Sequence, residues 1–159
     1  MTSISLVLPK KDVDGFHPTN REALLAGKPH VVPPAIAAIA HCMNSTGINL
    51  ETQQTVLLVR STTFGAPLKK VLDAGGLISE LIIVDTPAQL HTRSTTLKIK
   101  NADMVVSALG WPYSIQENNW INANTLLLKT HVTAGCSDSI AKHGSNYKVE
   151  GRKLILEYR

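Results

Sequence analysis

Four short runs of apolar residues, broken by almost no charge, punctuate the chain: Thr55-Val56-Leu57-Leu58-Val59, Leu81-Ile82-Ile83-Val84, Met104-Val105-Val106-Ser107-Ala108 and Thr125-Leu126-Leu127-Leu128. A strand with one face in water alternates apolar and polar residues. Runs without alternation predict strands covered on both faces, the habit of a parallel sheet. Between the runs the period lengthens. Behind Pro33-Pro34, the residues Ile36, Ile39, Ala40 and Met43 share one helical face, which predicts a helix from Pro34 that the turn formers Asn44-Ser45-Thr46-Gly47 end. Leu68, Val71 and Leu72 form a second stripe that Ala74-Gly75-Gly76 closes, and a weaker amphipathic stretch runs from Pro87 to Lys100. Pro9 to Asn20 reads as a structured loop, His131 to Tyr147 as a polar loop, and Lys153 to Tyr158 as a last strand. Strands alternating with helices predict an α/β, doubly wound and mainly parallel sheet with helices on both faces.

Composition narrows the setting more than the function. A chain of 159 residues, 43% hydrophobic and 18% charged, fits one ordinary domain with a real core and excludes a disordered or fibrous protein. The net charge of +4 favours a phosphorylated ligand, RNA or an acidic neighbour, but only as a long-range bias. Near the C-terminus Lys142, Lys148, Arg152, Lys153 and Arg159 outweigh Glu150 and Glu157; such clusters are mostly solvated surface, with RNA as the lesser reading. Cys42 and Cys136 stand far apart, and the six histidines show no spacing that converges on a metal, so no metal site is expected. No apolar run approaches the roughly 20 residues that cross a bilayer, and neither a signal-peptide core nor an Arg-rich presequence opens the chain. The expectation is an unsecreted protein of the cytoplasm or the mitochondrial matrix.

The stretch Pro9-Lys10-Lys11-Asp12-Val13-Asp14-Gly15-Phe16-His17-Pro18-Thr19-Asn20 carries a motif. It resembles the Pro-x-Lys-Asp-Val-Asp-Gly-Phe-His-Pro-x-Asn signature of the methylenetetrahydrofolate dehydrogenase/cyclohydrolase family. Further matches follow in the family's order: Leu24 and Gly27, Arg60-Ser61, Gly65-x-Pro67, Ala102-Asp103, Gly110-x-Pro112, Trp120-Ile121 and Gly151-Arg152-Lys153. The resemblance implies a Rossmann-type NAD(P)-binding domain over 34–159. Residues 1–33 would be a segment of the kind that lies at the cleft between the family's two domains. It also implies that Asp14 corresponds to a folate-contacting aspartate, and that Arg60, Ser61, Gly65, Asp85 and Thr86 line the cofactor site.

Inside the matched region the motifs are worn. The family's Gly-Arg-Ser after the first strand appears as Val59-Arg60-Ser61, and a β-branched valine obstructs the tight turn and close phosphate approach that glycine allows. The His-Ser pair after the second strand appears as Asp85-Thr86. An acid there suits ribose hydroxyls and repels a 2′-phosphate, which Arg60 would attract; the two side chains are alternatively a salt bridge. The family's catalytic tyrosine and lysine belong to an N-terminal folate-binding domain. The expectation is therefore a pseudoenzyme: a structural or accessory subunit of a larger protein assembly that binds NADP weakly or not at all. The alternative is an NADP-binding subunit whose folate-binding half comes from another chain. On the first reading Val13, Phe16, Val31, Trp111 and Tyr113 line a face that a partner covers.

Overall fold

The chain runs from a short 3-10 turn at Pro9–Lys11 into two helices, α1 (Pro18–Leu25) and α2 (Pro34–Ser45), before the first strand, β1 (Gln54–Val59). Then follow α3 (Thr62–Ala74), β2 (Ile78–Ile83), α4 (Pro87–Leu90), α5 (Arg93–Asn101), β3 (Met104–Ala108), β4 (Leu126–Val132), β5 (Asn146–Glu150) and β6 (Lys153–Tyr158). This computed structural model describes residues 6–109, 125–132, 146–150 and 153–158. The strands form one sheet in the order β2-β1-β3-β4-β6-β5, parallel throughout except for β5, which pairs antiparallel with β6.

The apolar runs form strands because both of their faces are covered. On one face Leu57 and Val59 of β1 join Met104, Val106, Leu126 and Leu128 under α2 and α3, which contribute Ile36, Ile39, Met43, Leu68 and Leu72. On the other face Val56, Leu58, Val105 and Leu127 pack with Leu90 of α4 and Ile99 of α5. Successive side chains of a strand point to opposite faces, so each run divides itself between the two cores. α3 is further tied to β2 by a polar clasp: Lys69 Nζ donates to Asp73 Oδ2 and to the Ser79 carbonyl, both at 2.6 Å, and Ser79 Oγ donates to Asp73 Oδ1 at 2.5 Å.

Five elements differ from the sequence reading. α1 starts inside the stretch read as loop, Pro9 to Asn20, and runs on through residues given no element, because its stripe is thin: Asn20 and Leu24 are its buried residues. The stretch from Pro87 to Lys100 is broken into α4 and α5, with Thr92 Oγ1 accepting from Thr95 N at the start of the second helix. β4 runs to Val132, and β5 starts in the last two residues of the stretch read as a polar loop and runs on to Glu150. β5 is the outer strand of the sheet, where a run needs no continuous apolar character. The rest of that loop, 133–145, lies outside the described residues.

One buried polar group stands out in β1. Thr55 is 2% exposed and its Oγ1 has no hydrogen-bond partner among the described residues. An unsatisfied buried hydroxyl opposes folding, whereas a methyl of the same shape does not. Thr55→Val is therefore expected to leave stability unchanged or raise it by up to about 1 kcal/mol in urea unfolding. A loss of that size would mean that the hydroxyl is satisfied in solution.

Candidate nucleotide cleft and signature loop

In this strand order β1 and β3 are neighbours whose connections lead to opposite sides of the sheet, which opens a crevice beyond their carboxyl ends. The residues that reach it from β1 are Arg60 and Ser61, both exposed. Ser61 starts α3 in an extended conformation, and its side chain makes no capping hydrogen bond. The first bond of the helix is Gly65 N to the Ser61 carbonyl at 2.9 Å, so the amides of Thr62, Thr63 and Phe64 are left without helical partners. Such donors, with the helix dipole behind them, favour an anion.

Val59, directly before this turn, is fully buried. A Cβ placed on Gly65 would lie 2.6 Å from Val59 Cγ2 and 2.9 Å from Leu81 Cδ1. The glycine thus makes room for the valine, and α3 sits close against β1 and β2. Gly65 serves strand-to-helix packing, while the turn itself has a bulky residue where the family has glycine.

Beside it, Val84 N donates to the Val59 carbonyl at 2.8 Å, which extends the β1–β2 pairing past the strand ends. Arg60 and Asp85 consequently both lie just past the strand ends at the lip of the sheet, and both are exposed, as is Thr86. Gln89 folds back from α4: its Oε1 accepts from Asp85 N at 2.6 Å and from Thr86 N at 3.2 Å. Sequence reasoning missed Gln89, although Thr86-x-x-Gln89 has the spacing of a capping box and Pro87 a favoured first helical position.

The signature loop is organised around Asp12 rather than Asp14. Asp12 Oδ1 accepts from Gly15 N and Phe16 N, and Oδ2 accepts from His17 N and Asn20 Nδ2, at 2.8–3.3 Å. Asn20 Nδ2 also donates to the Pro9 carbonyl at 2.9 Å, and His17 Nδ1 accepts from Thr19 N at 3.1 Å to cap α1. Burial alone would push the Asp12 carboxyl up; the hydrogen bonds from Asn20, His17, Phe16 and Gly15 outweigh it and hold it below the ordinary value. Gly15 has φ of 73° and packs on Pro33, where a Cβ would meet the ring at 3.2 Å. The Asp-x-x-Gly spacing that closes such a loop is visible in the sequence at Asp12 and Gly15, not at Asp14.

Asp14 itself is exposed and makes no hydrogen bond or ion pair among the described residues. Val13 beside it is 75% exposed. Phe16 is half-buried, its ring centroid 6.3 Å from that of Phe64 in the first turn of α3, and Val31 is also half-buried. This contact places the loop against the α3 wall of the cleft. Phe16→Ala consequently affects packing within the chain as well as any partner. Trp111 and Tyr113 lie outside the described residues, as do Cys136 and the basic residues Lys142, Arg152 and Arg159.

Other chemistry is sparse. Cys42 is buried, which pushes its thiol up and away from the reactive thiolate. Among the described residues there is no cluster of metal-ligating side chains, and no helix is long and apolar enough to cross a membrane. A pocket of about 380 Å³ opens between α5 and the amino ends of β1 and β2, and none of the residues singled out in the sequence for cofactor or substrate lines it.

A mainly parallel sheet with covering helices and a crevice at the β1/β3 switch point places the chain among α/β domains of the dinucleotide-binding type. Residues 33–148 match the family model described as tetrahydrofolate dehydrogenase/cyclohydrolase, NAD(P)-binding domain, and the chain belongs to that family. It is 34% identical over 110 residues to the bifunctional protein FolD of Streptococcus sanguinis (strain SK36), covering 69% of this chain and 37% of that protein. It is 31% identical over 139 residues to bifunctional FolD of Tropheryma whipplei (strain Twist), covering 86% of this chain and 45% of that protein. The chain thus spans less than half the length of these relatives. Among solved structures, the 5,10-methylenetetrahydrofolate dehydrogenase of the silkworm Bombyx mori matches with a TM-score of 0.65 at 21% identity, over 79% of this chain and 45% of that one. The Trypanosoma brucei FolD enzyme, solved with NADP and an inhibitor, matches with a TM-score of 0.65 at 24% identity, over 96% of this chain and 48% of that one. Both likenesses are of fold.

Proposed function

We propose that this chain is a methylenetetrahydrofolate dehydrogenase/cyclohydrolase-like pseudoenzyme, a non-catalytic accessory subunit of a larger protein assembly. Residues 1–33 act as an interdomain-type segment and 34–159 as the NAD(P)-binding-type domain. The observation that carries this reading is Val59: fully buried against Gly65, it fills the place where a phosphate-binding turn needs a bare backbone. NADP is accordingly held at millimolar strength or not at all. Support for docking comes from the signature loop, which holds Val13 at 75% exposure, with Leu6 and Leu8 just upstream at 81% and 64%. Exposed apolar side chains of this size, where they form one patch, mark interaction surfaces.

The alternative, an NADP-binding subunit completed by a separate folate-binding chain, draws support from the uncapped start of α3 beside Arg60 and Ser61. Dehydrogenase turnover on mixing with such a chain would establish it in place of the first reading. An RNA-binding role rests on the net charge of +4, with its basic residues near the C-terminus, and on Arg60; its mark would be strongly salt-dependent RNA affinity.

The test is Val13→Asp. So exposed a position tolerates the change within about 0.5 kcal/mol of stability. A partner that covers it must desolvate a carboxylate, and affinity in co-purification is expected to fall about tenfold or more. A stable monomer that retains no protein from native extracts would overturn the accessory-subunit reading.

A further inference from the structure

β2 ends the sheet on the side away from β5, and among the described residues no strand pairs with its outer edge. Which of its backbone groups face outward follows from two bonds at the ends of β1. Val84 N donates to the Val59 carbonyl, and the Gln54 carbonyl accepts from Asp103 N on the side of β3. The N–H and C=O of one strand residue point the same way, and the direction alternates along the strand. Thr55, Leu57 and Val59 therefore turn their backbone groups towards β2, where they meet those of Ile78, Glu80 and Ile82. Ser79, Leu81 and Ile83 turn theirs outward. Such a row is a template for another strand. Little in Ile78-Ser79-Glu80-Leu81-Ile82-Ile83 discourages one, since it is rich in β-branched residues, holds no proline, and has its one charge, Glu80, paired with Lys98 Nζ at 2.5 Å.

The obstacle is the clasp between α3 and β2. The outward carbonyl of Ser79 accepts from Lys69 Nζ at 2.6 Å, and the same ammonium donates to Asp73 Oδ2 at 2.6 Å and lies 3.2 Å from Ser79 Oγ. Two copies of β2 paired antiparallel about Leu81 would set Ser79 opposite Ile83 of the second copy, and Ile83 N–H would need the Ser79 carbonyl as its acceptor. That acceptor is already taken. An incoming strand would displace a strongly hydrated ammonium, whose side chain is 37% exposed, and would put a neutral hydrogen bond in place of a charged one.

We infer that Lys69 guards the free edge of β2: its bond to the Ser79 carbonyl is an autoinhibitory contact that keeps the sheet from extending into a second copy of the chain. Asp73 is a positioning residue, because it holds the ammonium at the edge from the next turn of α3. The device is separate from the nucleotide cleft and from the signature loop, to neither of which Lys69, Asp73 or Ser79 belongs.

The experiment compares the intact chain with Lys69→Met, which keeps an apolar stem and removes the charge, and with Lys69→Arg, which keeps charge and donors. Self-association is read by analytical ultracentrifugation, and the edge itself by amide hydrogen exchange. In the unmodified chain the outward amides of Leu81 and Ile83 are expected to exchange fast while those of Ile82 and Val84 are protected. Lys69→Met should self-associate about tenfold more tightly or better, with exchange at Leu81 and Ile83 slowed about tenfold. Lys69→Arg should behave as the unmodified chain. Urea unfolding run alongside checks that each variant is folded, and Lys69→Gln takes the place of a methionine variant that does not unfold cooperatively. Exchange in the unmodified chain decides the matter even where no variant folds: protected amides at Leu81 and Ile83 would mean that the edge is already paired and would overturn the inference. It would equally be overturned by Lys69→Met associating no more tightly, by association that leaves those two amides unprotected, or by Lys69→Arg associating as strongly as Lys69→Met.

Discussion

Asp12→Ala is expected to lower the unfolding free energy by about 2–3 kcal/mol, because hydrogen bonds to a charged group are worth more than neutral ones and four donors lose their acceptor together. The donors belong to Gly15, Phe16, His17 and Asn20, so the loss extends from the signature loop into the start of α1. Asp14→Ala is the control. Its side chain is exposed and makes no hydrogen bond or ion pair among the described residues, and its stability should stay within about 0.5 kcal/mol. The Asp12 contribution also has a pH signature. Its carboxyl is held below the ordinary aspartate value of 3.8 in the folded chain, so the unfolded chain takes up the proton first as pH falls. The stabilisation is fully present above the unfolded value and is lost as pH drops through the folded one. Urea unfolding of both proteins should therefore show a constant gap near neutrality that narrows below about pH 4. A gap that widens in acid would contradict the assignment of Asp12 as the acceptor.

Gly65→Ala is expected to destabilise by about 1–2 kcal/mol although alanine is the better helix former. In an open helix the change would gain up to about 1 kcal/mol. Here the added carbon would sit 2.6 Å from Val59 Cγ2, on a buried β-branched side chain with little freedom to move, and overpacking of this kind costs about 1–3 kcal/mol. The steric term wins. Val59→Ala in the same chain should recover part of the loss, because the removed methyls are the ones in collision, and a double-mutant cycle in urea would read the coupling. If Gly65→Ala proved neutral alone, the packing between α3 and β1 would be looser than the described contact implies.

How much of this was written in the sequence depends on what holds each element. The central strands were legible because burial on both faces leaves unbroken apolar runs, and β1, β3 and β6 begin or end within a residue of their expected positions. α2 and α3 were legible from their stripes and their glycine-bearing ends. α1 was not, because little of it is an apolar stripe: the Asp12 and Asn20 hydrogen bonds and the Phe16–Phe64 contact fix the chain that leads into it, and these join residues whose pairing no periodicity reveals. β5 was hidden because an outer strand does not have to be apolar on both faces. At the candidate site, the sequence pointed to Val59 as an obstruction but not to Gly65 as the residue that accommodates it. Gln89 lay within a recognisable spacing, yet its effect on the neighbouring amides becomes apparent only when its side chain is seen to fold back.

The interlock of Val59 with Gly65 also bears on the history open to such a domain. Val59→Gly would strip three carbons from a fully enclosed position, on the order of 2 kcal/mol, before any phosphate contact exists to offset the loss. Enlarging Gly65 first meets the clash. The junction is therefore a local optimum bounded on both sides, and single substitutions that restore a bare turn pass through a less stable protein. Descent into this arrangement is easier than return from it, so a lineage that acquired the valine would tend to keep it and to change elsewhere.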